Sequence, residues 1–238
     1  MLDRIARSDP TGRFPEQPLI HYAHTALFQA HADSAAKYFA LLAREAVQGH
    51  NAYWEGRALF GLAEAQLQLG RRADARRTMA RFRRISDTLA IRSTDDEVTD
   101  PRMLDARLAA MDGDSATANA LAVQVLRANG YFKGTRRSIF RSALILAAET
   151  ALALRHPAEA LGYARAAREK AAVDSLSETQ SAFVGEARLL EVRALLASAD
   201  TTGARAELAR ALVALRNGAG PDHPRVRQAE RLSAELGR

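Results

Sequence analysis

The stretch Ala58–Phe82, ALFGLAEAQLQLGRRADARRTMARF, contains an apolar helix, a short polar turn and a second helix. Leu59, Leu62, Gln66 and Leu69 fall at helical spacing, Gly70 ends the first helix with a residue tolerant of positive φ, and Ala75, Met79 and Phe82 restart the period. Two helices joined by so short a turn pack antiparallel. A small alanine at the first inward position of the second helix lets the two backbones approach. The same phrase occurs five times, marked by Ala36, Ala75, Ala118, Ala160 and Ala204, which are 39, 43, 42 and 44 residues apart.

The turns carry helix-start chemistry. They read His31-Ala-Asp33-Ser34, Gly70-Arg-Arg-Ala-Asp74, Asp112-Gly-Asp114-Ser115, Arg155-His156-Pro157 and Asp200-Thr-Thr202, with acceptors suited to capping or a proline suited to the first helical position. Between hairpins, Asp100-Pro101, the capping box Ser177-Glu-Thr-Gln180 and Asp222-His-Pro224 announce new helices. Aromatic residues make up only 6% of the 238, alanine is abundant, and runs of β-branched residues are absent, so helix propensity dominates. The expectation is an all-α chain of ten helices and a last one from Pro224 to about Leu236. A lead-in covers residues 1–17, the helical repeats 18–218, and a linker with a capping helix 219–238.

Composition excludes several classes of function. With no cysteine, disulfides, a catalytic thiol, iron–sulfur ligation and cysteine-rich zinc sites are ruled out. The 34 basic residues exceed the 28 acidic ones by six, a mild excess, and 47% apolar with 26% charged residues is ordinary globular composition. Only Lys37, Lys133 and Lys170 are lysines, so 31 basic residues are arginine, as in a bacterium with a GC-rich genome. The first residues, MLDRIARSDPTGRF, place charges and Pro10 where a secretion signal needs an apolar run of about 7–15 residues. The most apolar stretch, Ser142–Leu154, is broken by Glu149 and falls short of the ~20 residues that span a bilayer. A soluble, cytoplasmic protein without membrane insertion is expected.

No motif for catalysis is present: no GxSxG, no HExxH, no phosphate loop ending in GK[ST] and no GxGxxG after a strand. We expect no enzyme, no cofactor and no metal. His21, His24 and His31 share the first hairpin with Asp33, but histidines there need no metal to explain them. Asp112-Gly-Asp114 lacks the further oxygen ligands of a calcium loop and reads as a capped turn. Arg71, Arg72, Arg76, Arg77, Arg81, Arg83 and Arg84 crowd one helix whose buried side is Ala75, Met79, Phe82, Ile85 and Leu89. Arg72, Arg76 and Arg83 form one strip and Arg77 with Arg84 another, the pattern of a solvated outer helix. As a nucleic-acid footprint the segment lacks interleaved aromatics. In the connector Gly130–Arg137, Tyr131, Phe132 and Lys133 are either partner contacts or a cover for the neighbouring hairpin.

From Pro18 onward the chain resembles a degenerate tetratricopeptide-repeat array. In its second copy Leu59, Leu62, Ala63, Gly70, Ala75, Met79 and Phe82 match the family's packing positions, and in its fifth Ala204, Leu208 and Ala211 do. Glu191 and Asp105 stand where the family usually has leucine. The tail from Gly220, GPDHPRVRQAERLSAEL, is similar to the linker and next helix in long-repeat arrays of bacterial regulatory proteins, including those fused to protein kinases. The resemblance implies a right-handed α-solenoid of about five antiparallel hairpins plus a C-terminal helix, whose first helices line a concave groove. Carried over position by position, the groove residues are Arg57, Phe60 and Glu64, then Met103 and Arg107, Ile145 and Glu149, and Glu186 and Arg193. They do not reproduce the Lys/Asn pattern by which chaperone-binding members hold a terminal carboxylate. The expected function is a non-enzymatic scaffold binding a peptide or protein segment. The alternatives are an effector or sensor module of a bacterial kinase or transcription-regulatory system and arginine-mediated nucleic-acid binding. An array with exposed terminal helices is also compatible with a homodimer.

Overall fold

A computed structural model describes residues 16–89, 100–128, 130–131, 139–173 and 177–237. These form eleven helices and no strand. They are α1 (Glu16–Phe28), α2 (Ala32–Gln48), α3 (Ala52–Gln68), α4 (Arg72–Leu89), α5 (Pro101–Met111), α6 (Ser115–Ala128), α7 (Ile139–Ala153), α8 (Pro157–Val173), α9 (Ala182–Ala197), α10 (Thr201–Ala219) and α11 (Pro224–Leu236), with one 3-10 turn at Glu178–Gln180. Among the described residues no helix is long and apolar enough to cross a membrane.

Six of the connections are one turn used repeatedly. In each, a single residue takes positive φ: Ala30 (61°), His50 (52°), Gly70 (71°), Gly113 (86°), Arg155 (61°) and Ala199 (63°). The amide after it then donates to the carbonyl five residues back, as His31 does to Ala26 (2.8 Å), Arg71 to Gln66 (2.8 Å) and Asp200 to Leu195 (2.9 Å). That bond satisfies a carbonyl the helix end leaves open. The donor residue in turn starts the next helix. Its carbonyl accepts from the amide four residues on, which in α2, α4, α6, α8 and α10 belongs to Ala35, Ala75, Ala118, Ala160 and Ala204. All five alanines are fully buried. The first-hairpin marker is therefore Ala35, since Ala36 is only half-buried; adjacent alanines at 35 and 36 make the two registers indistinguishable by composition.

Caps follow the expected chemistry with two corrections, at α2, whose N-cap His31 makes no side-chain cap bond, and at α9. Asp114 accepts from the amide of Thr117 at 3.0 Å, Asp200 from Gly203 at 2.8 Å and Asp100 from Arg102 at 3.0 Å. The start of α9 is capped by Ser181, whose hydroxyl accepts from Val184, while the Ser177–Gln180 capping-box segment closes into the 3-10 turn. The start of α11 is capped by the His223 imidazole, whose Nδ1 accepts from the Arg225 amide at 3.2 Å.

The chain divides into two compact units, residues 1–104 and 105–238, the boundary falling within α5. In the first, α2 packs against α1 and α3, while α3 also packs against α4 and α1. A Cβ on Gly61 would stand 2.3 Å from the Phe39 ring, so glycine is what lets α2 and α3 meet this closely. Thr78 donates to Gln66 across the α3–α4 hairpin at 2.8 Å. The seven arginines of the basic helix are all exposed and Ala75, Met79 and Phe82 are buried, with Ile85 half-buried.

In the second unit α6 to α11 pack each on the next, and α7 also touches α9. Ala151, Ala160 and Ala194 meet where α7, α8 and α9 converge. Asn119 ties α6 to α7 by donating to the Ala147 carbonyl and the Thr150 hydroxyl. At the α8–α9 contact Glu191 is buried at 3% exposure, held by Arg168 at 2.6 Å and faced by Arg165 at 3.8 Å. Burial pushes its carboxyl above the usual range even though Arg168 opposes the shift. A glutamate is thus held in this buried position by the counter-charge of two arginines of the preceding helix.

Two stability measurements follow. Ala199→Gly relieves a left-handed alanine and raises stability by about 0.5–1 kcal/mol, read as a higher urea midpoint with unchanged slope. Arg168→Met strands a buried carboxylate and lowers stability by about 3 kcal/mol, whereas Arg168→Met with Glu191→Leu returns to within about 1 kcal/mol of the wild type.

Candidate functional site

The expected groove residues divide between the units. Arg57, Phe60, Glu64 and Met103 lie in the first, and Arg107, Ile145, Glu149, Glu186 and Arg193 in the second. Phe60 and Met103 are core residues, each 2% exposed, and do not face a groove. The physical reason at Phe60 is that α3 is packed on several sides: its ring sits edge-on to Phe82 of α4, centroids 5.8 Å apart. Glu64 is likewise buried. Arg107, Ile145 and Arg193 are half-buried, with Ile145 packed against Ala148, Ala164 and Leu190. Tyr131 stacks edge-on to the buried Phe140 at 5.2 Å and covers that hairpin; Phe132 and Lys133 lie outside the described residues.

Glu149 and Glu186 are brought together, and a residue not anticipated from sequence joins them. Pro224 and the His223 cap fix the start of α11. Val226 and Ala229, both fully buried, seat α11 in a cluster with Leu189, Val192 and Leu195 of α9 and Leu208 and Leu215 of α10. Arg225, on the first turn, then places Nη2 3.0 Å from Glu149 Oε1 of α7 and 3.1 Å from Glu186 Oε1 of α9, while Nη1 donates to Gln228 at 3.2 Å. Burial works against the guanidinium charge, but Glu186 and Glu149 more than restore it and hold the pKa above its ordinary value. All three side chains remain about 30% exposed. Two carboxylates share one guanidinium, so the trio carries one net negative charge at a solvent-reachable spot. The sequence signal for Arg225 is the Asp222-His-Pro224 helix start; the 76-residue reach to Glu149 is a product of packing.

A second constellation sits in the first unit. Arg57 on α3 lies over the rings of Trp54 (5.3 Å) and Tyr53 (5.7 Å) and donates to the Tyr53 hydroxyl at 3.2 Å. His24 of α1 packs edge-on to Phe39 at 5.2 Å. Burial, then the charges of Arg57 and His21, push the His24 imidazole down to about 4. Asp33, the carboxylate nearest these histidines in sequence, accepts instead from Arg71 at 3.2 Å.

The His24 environment fixes the sign of a pH effect. The imidazole takes a proton more readily in the unfolded chain, near pH 6.5, than in the folded one, near 4. The stability it supports is complete above the unfolded value and is lost as pH falls toward the folded one. Between pH 7.5 and 4.5 the wild type should lose about 2–3 kcal/mol more than His24→Gln, measured as urea midpoints of the two proteins across that range.

No protein-family model, no curated protein and no solved structure matches the chain.

Proposed function

We propose that the chain is a non-catalytic recognition module of tetratricopeptide-like hairpins, wound as a right-handed solenoid, and that it binds a protein segment along its alternate helices. The observation that carries the reading is the meeting of Glu149, Glu186 and Arg225, contributed by α7, α9 and α11. Alternate helices that deliver side chains to one place are what a hairpin array uses to read an extended segment. The uniform left-handed turn and the α1–α3 and α7–α9 contacts support the same arrangement. The excess carboxylate in the trio favours a segment with a basic side chain, which would pair there and set orientation more than raw affinity. Ile145, half-buried on the same helix as Glu149, offers apolar surface close by.

Panning a random short-peptide library against the chain should enrich sequences carrying lysine or arginine. Glu149→Gln with Glu186→Gln should weaken the selected peptides about tenfold, with circular dichroism establishing that the variant is folded at the assay temperature. Failure to enrich any sequence, or equal binding by the double variant, overturns the proposal.

A further inference from the structure

We infer that the segment read by the carboxylate trio is bipolar, carrying a carboxylate three residues from its basic side chain, and that Arg193 of α9 receives that carboxylate. The inference rests on the trio being a binding site and adds a second contact of opposite sign. Arg193 follows Glu186 by seven residues, which at the helical period brings it back to within about 20° of the same line along α9. The rise places it about 10 Å further on. Its chain neighbours hold it between two seams: Val192 is buried in the cluster shared with α10 and α11, and Ala194 is buried against Ala151 of α7. Arg193 itself is half-buried and, among the described residues, makes no hydrogen bond or ion pair.

The contrast with the neighbouring arginines is what marks it. Arg168 holds Glu191, Arg188 bridges Glu178 and Glu207, and Arg216 holds Glu230. A guanidinium partly withdrawn from water without a counter-charge is costly, and a ligand carboxylate offsets that cost through charge-assisted hydrogen bonds. The trio has the opposite excess, since Glu149 and Glu186 share the one guanidinium of Arg225. This face of α9 therefore offers one unmatched charge of each sign, about 10 Å apart at the helical rise. An extended chain covers that distance in three residues. In a β-strand, side chains three apart lie on opposite faces, whereas a polyproline II segment completes one turn in three residues and about 9.3 Å, returning both side chains to one face. Leu152 of α7, half-buried and packed on the Ala151–Ala194 contact, gives the intervening residues an apolar floor.

The probes are the lysine- or arginine-bearing peptides selected by panning, labelled and read by fluorescence anisotropy. We expect them to share an aspartate or glutamate three residues from the basic position. Changing that acid to its amide in the peptide, or Arg193→Gln in the protein, should each weaken binding about tenfold. The two changes together should cost no more than either alone, the signature of one shared bond. Circular dichroism establishes that Arg193→Gln is folded at the assay temperature. Peptides that lose affinity on Glu149→Gln with Glu186→Gln yet bind Arg193→Gln as tightly as the wild type overturn the inference and leave the trio standing as a binding site. An Arg193→Gln loss of equal size for the acid and amide peptides also overturns it, because the guanidinium then acts on the fold and not on the ligand. Failure to enrich any peptide overturns both readings.

Discussion

One turn governs the architecture. A residue enters the left-handed region, the next amide reaches back five residues to close the old helix, and its carbonyl opens the new one. Reversal of direction, capping of both helix ends and burial of an alanine one turn later are consequences of that single geometry. Only Gly70 and Gly113 among the six left-handed positions are glycines. The strain at Ala30, His50, Arg155 and Ala199 is accepted because packing on both sides requires the reversal there.

Alanine-rich contacts bring helices close but bury little apolar area per residue. Arginine–carboxylate pairs supply directional contacts between the elements. Arg168 and Arg165 on α8 meet Glu191 on α9, Arg188 on α9 meets Glu207 on α10, Arg216 on α10 meets Glu230 on α11, and Arg81 on α4 meets Glu55 on α3. Several of the many arginines noted at the outset thus tie neighbouring helices together. Arg205 extends the pattern to backbone, donating to the Leu236 carbonyl at the end of α11 at 2.6 and 3.1 Å, where a cation also complements the helix dipole.

Among the described residues, helix number, helix limits such as Pro224–Leu236, the buried positions Ala75, Met79 and Phe82 of α4 and the alanine markers after the first were legible because they depend on local period and cap chemistry, while the Leu89 side chain lies outside the described residues. Ala35 displaced Ala36, and Ser181 displaced Ser177, because two candidates stood within one helical turn and only packing selects between them. Phe60 and Met103 were carried over as groove positions from the repeat pattern, yet both are core residues, Phe60 because α3 is packed on several sides. Arg225 was out of reach, since its two partners lie on helices 39 and 76 residues away. The arginines of α4 were visible in sequence, but the bond by which Arg81 ties that helix to Glu55 of α3 is a product of packing.

The division of the chain within α5 bears on how the protein comes apart. Each unit buries large side chains of its own, Phe39 and Phe82 in one and Leu189 and Leu215 in the other, so a single melting transition is not required of the whole chain. Calorimetric and van't Hoff enthalpies need not agree for such a molecule.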